Sequence, residues 1–106
     1  MAKYLLQVNY TVSGIQGVVA EGGSARLAAA KGAIESAGGT LESFYFAFGV
    51  TDVFVIADFP DSVSAAAVAL TVSAGGGAAV NTTVLLTPEE VDAATKKTVG
   101  YRPPGG

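Results

Sequence analysis

The segment from Phe44 to Asp61 constrains the fold of this chain more than any other part of it. It reads as two strands joined at Gly49–Asp52, rich in the aromatic and β-branched residues that suit a pleated surface. A half-buried strand alternates apolar and polar residues, whereas both faces of these two strands are apolar. A chain of 106 residues can supply helices for only one face of a sheet. The pattern therefore predicts that the other face meets a second copy of the chain.

The rest of the chain divides at its glycines and prolines into alternating strands and helices. The first strand alternates, with Tyr10 and three other apolar residues on one face and Gln7 and Asn9 on the other. Predicted strands cover residues 3–11, about 40–48, 52–58 and 78–86. Predicted helices begin near the capping residues Ser13, Ser24, Asp61 and Thr87, and Gly22-Gly23 separates the first two. The third helix is expected to bury a stripe formed by Val63, Ala66, Ala67, Leu70 and Ala74.

This element order, β-α-β-β-α-β with a short C-terminal helix, predicts an α+β fold of the ferredoxin-like kind. It has a four-stranded antiparallel sheet with helices on one face, and its first and third strands are central. We expect one domain over residues 1–99 and an extended tail over 100–106. Apolar patches of several hundred Å² are rarely left exposed on monomers. The uncovered sheet face therefore favours a homodimer, or a multiple of one.

Composition excludes several kinds of chemistry. The chain has no cysteine and no histidine, so the soft and imidazole ligands that transition metals and haem prefer are absent. We expect no cofactor and no metal site. A net charge of −3 with scattered basic residues gives no footprint for nucleic acid or an anionic membrane. Apolar runs are too short for a bilayer span and the start does not resemble a signal peptide, so a soluble cytoplasmic protein is the default expectation.

Two amides and two tyrosines are the candidate ligand-binding residues. Gln7 and Asn9 are two residues apart on a central strand, so they point the same way, and buried amides need hydrogen-bond partners. Either they line a ligand cavity between the sheet and its partner, or they bond each other and the opposite subunit. Tyr10 and Tyr45 are the aromatic hydroxyls expected to reach the same cavity.

Two loops carry further candidates. Ser24 and Arg26 follow a Gly-Gly pair at a predicted helix start, where backbone N–H groups and a guanidinium could hold an anion; the alternative is a capped helix break with Arg26 on the surface. In the hairpin turn, Gly49 is expected to supply conformational freedom, and Asp52 to accept backbone N–H groups within the turn. Thr51 is expected to face solvent and to tolerate substitution.

The chain resembles the GYD-domain family, small bacterial proteins similar to the dimeric α/β-barrel group. The resemblance runs nearly from end to end, and the segments that carry it include Lys3-Tyr4, Glu21-Gly22-Gly23-Ser24, Glu42–Gly49, Pro60-Asp61, Glu89–Asp92 and Tyr101–Pro104. The family motif Gly-x-Tyr-Asp stands here as Gly49-Val50-Thr51-Asp52, with threonine in place of tyrosine. The resemblance implies a ferredoxin-like protomer and face-to-face pairing, and it brings no established activity.

Three functional interpretations follow. The first is a non-enzymatic, homo-oligomeric module whose sheet face is buried by dimerisation and which binds a small molecule. The second is a cofactor-free enzyme of the dimeric barrel kind that uses a tyrosine or aspartate for proton transfer on a small organic substrate; the missing histidine and motif tyrosine count against it. The third is a structural or regulatory subunit whose tail, residues 101–106, docks on another protein.

Overall fold

The computed structural model describes residues 1–106 and contains four strands and four helices. In chain order these are β1 (Ala2–Tyr10), α1 (Val12–Glu21), α2 (Gly23–Ser36), β2 (Thr40–Phe46), β3 (Val53–Phe59), α3 (Ser62–Ala74), β4 (Ala78–Leu85) and α4 (Pro88–Thr95). The strands form one antiparallel sheet in the order β2-β3-β1-β4. The predicted ferredoxin-like arrangement, with the first and third strands central, is confirmed. None of the four helices combines the length and hydropathy needed to cross a bilayer.

Alternation along the two central strands decides which face of the sheet is covered. On β1, Tyr4 and Leu6 are buried, and the core also contains every second residue of β3 from Val53 to Phe59. Ile34 of α2 and Val68 of α3 close this core from the helix side. The opposite face carries no helix, so its residues have only solvent above them in the protomer.

The two edge strands differ in regularity. On β2, Leu41 pairs with Ala57 and Ser43 pairs with Ile56, so Glu42 between them is an extra residue that forms a β-bulge. On β4, all eight residues pair in unbroken register with β1. One edge of the sheet is therefore kinked and the other is straight.

The connection from β1 to β2 contains two helices, as predicted, but the residues that cap them are not the predicted ones. Thr11 lies just before α1, and its hydroxyl accepts the backbone N–H of Gly14 at 3.2 Å. Ser13, the predicted cap, is already inside the helix. Between α1 and α2, Gly22 has a φ of 86° and is itself the N-cap of α2, without a side-chain bond. Ser24 is therefore an ordinary residue of the first turn, and the prediction that it caps α2 was wrong.

The two later helices begin as the sequence indicates. Asp61 accepts the backbone N–H of Ser64 at 2.8 Å. Thr87 and Glu90 form a reciprocal capping box, with bonds of 3.1 and 2.9 Å, and Pro88 occupies the first turn of α4. Each cap satisfies N–H groups that the first turn of a helix leaves without an internal partner.

The buried face of α3 is not the predicted one. Ala65 and Val68 are buried against the sheet, whereas Val63 and Leu70 are 76% and 70% exposed. The whole predicted stripe points away from the sheet. Because nearly every residue of α3 is apolar or small, helical periodicity could not distinguish its two faces.

Candidate functional site

A groove separates the two long helices on the covered face of the sheet. Of the two, α2 packs mainly on the edge strand β2 and α3 mainly on the edge strand β4. The central strands therefore form a floor that neither helix fully covers. A cavity of about 190 Å³ lies there, with a floor that includes Leu6, Val8, Val53 and Val55.

Small side chains keep this groove open. Its α2 wall is formed by Ala29, Ala30 and Ala33, and its α3 wall by Val68 and Val72. Alanine has too little volume to reach across to a neighbouring helix, so the space that larger residues would fill in a close-packed core remains available. Of the fifteen residues around the cavity, fourteen are hydrophobic and the exception is Arg26.

The groove leads to a polar mouth. A second hollow of about 320 Å³ shares Tyr10 and Arg26 with the apolar cavity and adds Glu21. On α1 it is lined by Gly14 and Gly17 as well as by Glu21. Residues with a hydroxyl, a guanidinium and a carboxylate thus surround the entrance to an otherwise apolar space.

The ion pair at this mouth is weak. Arg26 Nη1 lies 3.4 Å from Glu21 Oε2, and the two side chains are 37% and 51% exposed. An exposed pair of this kind contributes at most about 1 kcal/mol, and the guanidinium has five N–H donors. Most of these donors are thus free for another acceptor. Ser24 lies on the same first turn of α2, and anion binding by Ser24 and Arg26 stays a prediction.

The four residues predicted to share one ligand cavity are divided between the two faces of the sheet. Tyr45 pairs with Phe54, which pairs with Gln7, so these three side chains form a row on the uncovered face. Asn9, two residues along β1, lies on that face as well. Tyr10 faces the helices and lines the groove. Its placement with Gln7 and Asn9 was wrong, because consecutive strand residues point to opposite faces.

The hairpin turn is tied to β1 through Asp52. Its carboxylate Oδ2 accepts the backbone N–H of Tyr10 at 2.8 Å. Its own N–H donates to the carbonyl of Val8 at 3.0 Å and to Asn9 Oδ1 at 3.2 Å. Asp52 does accept a backbone N–H, as predicted. The prediction that the donor lies within the hairpin turn was wrong, since the donor is Tyr10 of β1. The Asn9 amide is part of the same connection.

The strained residue of the turn is Phe48 rather than Gly49. Phe48 has a φ of 55° and stacks on Phe46 with ring centroids 5.4 Å apart. Gly49 lies outside the left-handed region, and a Cβ added there would meet nothing within 4 Å. The prediction that Gly49 supplies conformational freedom was therefore wrong. Thr51 is half-buried instead of facing solvent.

A charged cluster lies at the opposite end of the uncovered face. Lys3 Nζ is 3.1 Å from Glu42 Oε1 and 3.2 Å from Asp58 Oδ2. The hydrogen bond that Lys3 donates to Glu42, and then the one that it donates to Asp58, raise the pKa of Lys3 above its ordinary value, although desolvation opposes the shift. Two carboxylates share one ammonium group, so the cluster has one negative charge in excess. No three acidic residues converge closely enough to hold a metal ion.

The groove itself was missed from the sequence, although a signal for it exists. Ala29, Ala30 and Ala33 place small residues along one side of α2. A core helix over a sheet usually carries larger apolar residues on that face. Three alanines on such a face predict either close helix contact or unfilled space, and the structure has the second.

The comparison with known proteins agrees with the fold. A family model described as GYD domain matches residues 4–95 of the chain. Neither a curated protein nor a solved structure shows significant similarity to it. The match includes β1 from Tyr4 onward, the other three strands and all four helices.

Proposed function

The chain belongs to the GYD-domain family, and we propose that it acts as a homodimeric module in which each protomer binds a small, mainly apolar molecule in the groove between α2 and α3. The observation that carries the ligand part is the groove itself, apolar throughout except for Arg26. An engineered apolar cavity of about 150 Å³ binds benzene. A cavity of about 190 Å³ is of a size to take one ring or a short branched chain.

The mouth of the groove supports an oxygen acceptor on the ligand. Arg26 has N–H donors beyond the one directed at Glu21, and a buried apolar body with one oriented polar group is typical of small-molecule sites. A carbonyl or a carboxylate oxygen fits this arrangement. The two differ in charge, and only the carboxylate would compete with Glu21 for the guanidinium.

Dimerisation is supported by the uncovered sheet face. Leu5, Ile56 and Phe54 lie side by side on the central strands, and Tyr45, which is 71% exposed, extends this patch onto β2. Ring and branched side chains near the centre of a face, with charged side chains toward its margin, are the usual anatomy of an interface. Pairing of two such faces would remove the patch from water.

The ligand site is testable by titrating the isotope-labelled protein with benzoate and with benzyl alcohol, followed by NMR chemical shifts. We expect shifts at Val53, Val55 and Ala30. Ala33→Leu, which fills the groove, should weaken binding at least tenfold, whereas Ala28→Leu on the exposed side of α2 should leave it unchanged. Glu21→Gln should strengthen benzoate binding alone. Shifts confined to Gln7 and Tyr45, or equal binding by both leucine variants, would contradict the proposal.

A second candidate, cofactor-free catalysis, is favoured by the same mouth. Glu21 could remove a proton next to a carbonyl group, and Arg26 could stabilise the negative charge that develops on the oxygen. The test is deuterium incorporation into the methyl group of acetophenone in D₂O. Catalysis requires exchange above the buffer rate in the parent protein, lost in Glu21→Gln and kept in Glu35→Gln. Deuterium exchange at the buffer rate would exclude this catalysis, and ligand binding would then be the function.

A further inference from the structure

The C-terminal segment, residues 87–106, forms an arm that projects from the rest of the protomer. Every residue from Pro88 to Gly106 is exposed, and α4 has no substantial packing partner among the other elements. The radius of gyration is 16.8 Å, against about 13 Å for a compact chain of about 100 residues. The arm also exposes Val91, Val99 and Tyr101. The helix α4 thus has a complete capping box but does not pack on the rest of the protomer.

The end of the arm and the body are complementary in charge. The body, residues 1–86, has six acidic and three basic side chains, which leaves it at −3. The arm has three acidic residues within α4, and its three basic residues follow them as Lys96, Lys97 and Arg102. Residues 96–106 therefore carry +3 with no acidic residue among them.

The arm leaves the sheet beside the acidic cluster. Lys3 is in register with Leu85 at the end of β4 and with Asp58 on β3. The excess negative charge of Glu42 and Asp58 is thus at the same end of the uncovered face. Two sheets related by a two-fold axis along their strands bring these ends together.

Distances fit a crossing from one copy to the other. A helix of eight residues such as α4 is about 12 Å long at 1.5 Å per residue. Packed sheets lie about 10 Å apart. Lysines that directly follow α4 can therefore reach the sheet of the opposite copy.

The sheet face alone is small for a stable dimer. Four strands about 4.8 Å apart and roughly seven residues long give a projected area of roughly 450 Å². Standard interfaces bury about 800 Å² on each partner. An arm of nineteen exposed residues is the part of the chain available to supply the remainder.

We propose that the arm of each copy crosses to the second copy and places Lys96 and Lys97 against Glu42 and Asp58 there. This inference rests on the sheet-face dimer proposed above and adds the part of the chain that completes it. Val91 and Val99 then cover apolar surface at the margin of the partner's sheet.

Sedimentation equilibrium of the full chain at low ionic strength tests the arm. The double variant Lys96→Glu/Lys97→Glu should raise the dimer dissociation constant at least tenfold, as expected when two exposed ion pairs in each of the two arms become repulsive. Lys31→Glu, a single charge reversal on α2, should leave it within about twofold. Adding Glu42→Lys to the double variant should restore much of the affinity. Circular dichroism checks that each variant is folded.

Carbodiimide cross-linking of mixed light and heavy isotope-labelled protein gives an independent readout. A peptide that joins light Lys96 or Lys97 to heavy Glu42 or Asp58 is expected. If the dimer dissociates equally in the parent and the double variant, and no light–heavy links form, the proposal that the arm crosses is wrong. The sheet-face dimer would be unaffected by that result. A parent protein that is monomeric throughout would overturn both.

Discussion

The carboxylate of Asp52 accepts the backbone N–H of Tyr10 at 2.8 Å, beyond the point where β3 stops pairing with β1. The last pair in that register is Val8 with Val53. The side chain thus takes the place of a main-chain carbonyl where the strand has already turned away. It fastens the β2–β3 hairpin to the strand whose final residue lines the groove.

Removing this carboxylate should loosen the hairpin. Because a charged acceptor bonds a backbone N–H, we expect Asp52→Ala to lower the free energy of unfolding by about 1.5–3 kcal/mol, measured by urea denaturation. Val50→Ser, at a side chain that is 95% exposed in the same turn, should change it by less than about 0.5 kcal/mol. Equal effects of the two substitutions would show that the Tyr10 bond is not important for stability.

Two glycines should respond to alanine with opposite signs. In Gly39→Ala the new Cβ would lie 2.6 Å from the carbonyl oxygen of Asp58 and 2.9 Å from Ile34 Cγ2, so overpacking should cost roughly 1–3 kcal/mol. Gly32 is inside α2, and its new Cβ would meet nothing within 4 Å. Gly32→Ala should therefore stabilise the protein by roughly 0.5–1 kcal/mol. Thermal unfolding of the two variants beside the parent protein measures both, and a shared sign would contradict either the close contact at Gly39 or the open space at Gly32.

The cap of α3 should make stability depend on acidity. Hydrogen bonds from the backbone N–H and hydroxyl of Ser64 lower the pKa of Asp61 below its ordinary value. Its contribution is therefore present above about pH 4, the ordinary aspartate range, and is lost as the pH falls through the lowered value of the folded state. Asp61→Asn keeps an acceptor at the N-cap but does not titrate.

Urea unfolding of the parent protein and of Asp61→Asn at neutral and acidic pH isolates this contribution, because all other groups titrate in both. The parent should lose stability relative to the variant as the solution is acidified. A difference between the two proteins that is independent of pH would exclude the Asp61 carboxylate as its source.

Local sequence signals predicted the strands and half of the helix caps because each depends on a few adjacent residues. Thr87 and Glu90 are three residues apart and hydrogen-bond to each other, so their capping roles can be predicted from the sequence alone. The strand order likewise follows from crossover lengths and one tight hairpin. The buried side of α3 could not be read, because Val63 and Leu70 are as apolar as the buried Val68.

The candidate site is a space between α2 and α3 that no side chain fills. The separation of α2 and α3 arises where each helix rests on an edge strand, and alanines such as Ala29 and Ala33 fit close helix contact as well as unfilled space. Arg26 was singled out for its position at a helix start, and the structure places it at the mouth of the groove. The Asp52–Tyr10 bond joins residues 42 positions apart, beyond the reach of any turn motif.

The two edges of the sheet also differ in how they resist aggregation. The bulge at Glu42 and its charge interrupt β2, and both features discourage strand addition from another molecule. The straight edge, β4, reads Ala-Ala-Val-Asn-Thr-Thr-Val-Leu, without a charge or a proline. Uncharged strands of high β-propensity are the segments from which fibrillar assembly starts. Aggregation of this protein should therefore begin at β4. A single charged residue introduced into that strand would do most to prevent aggregation at high protein concentration.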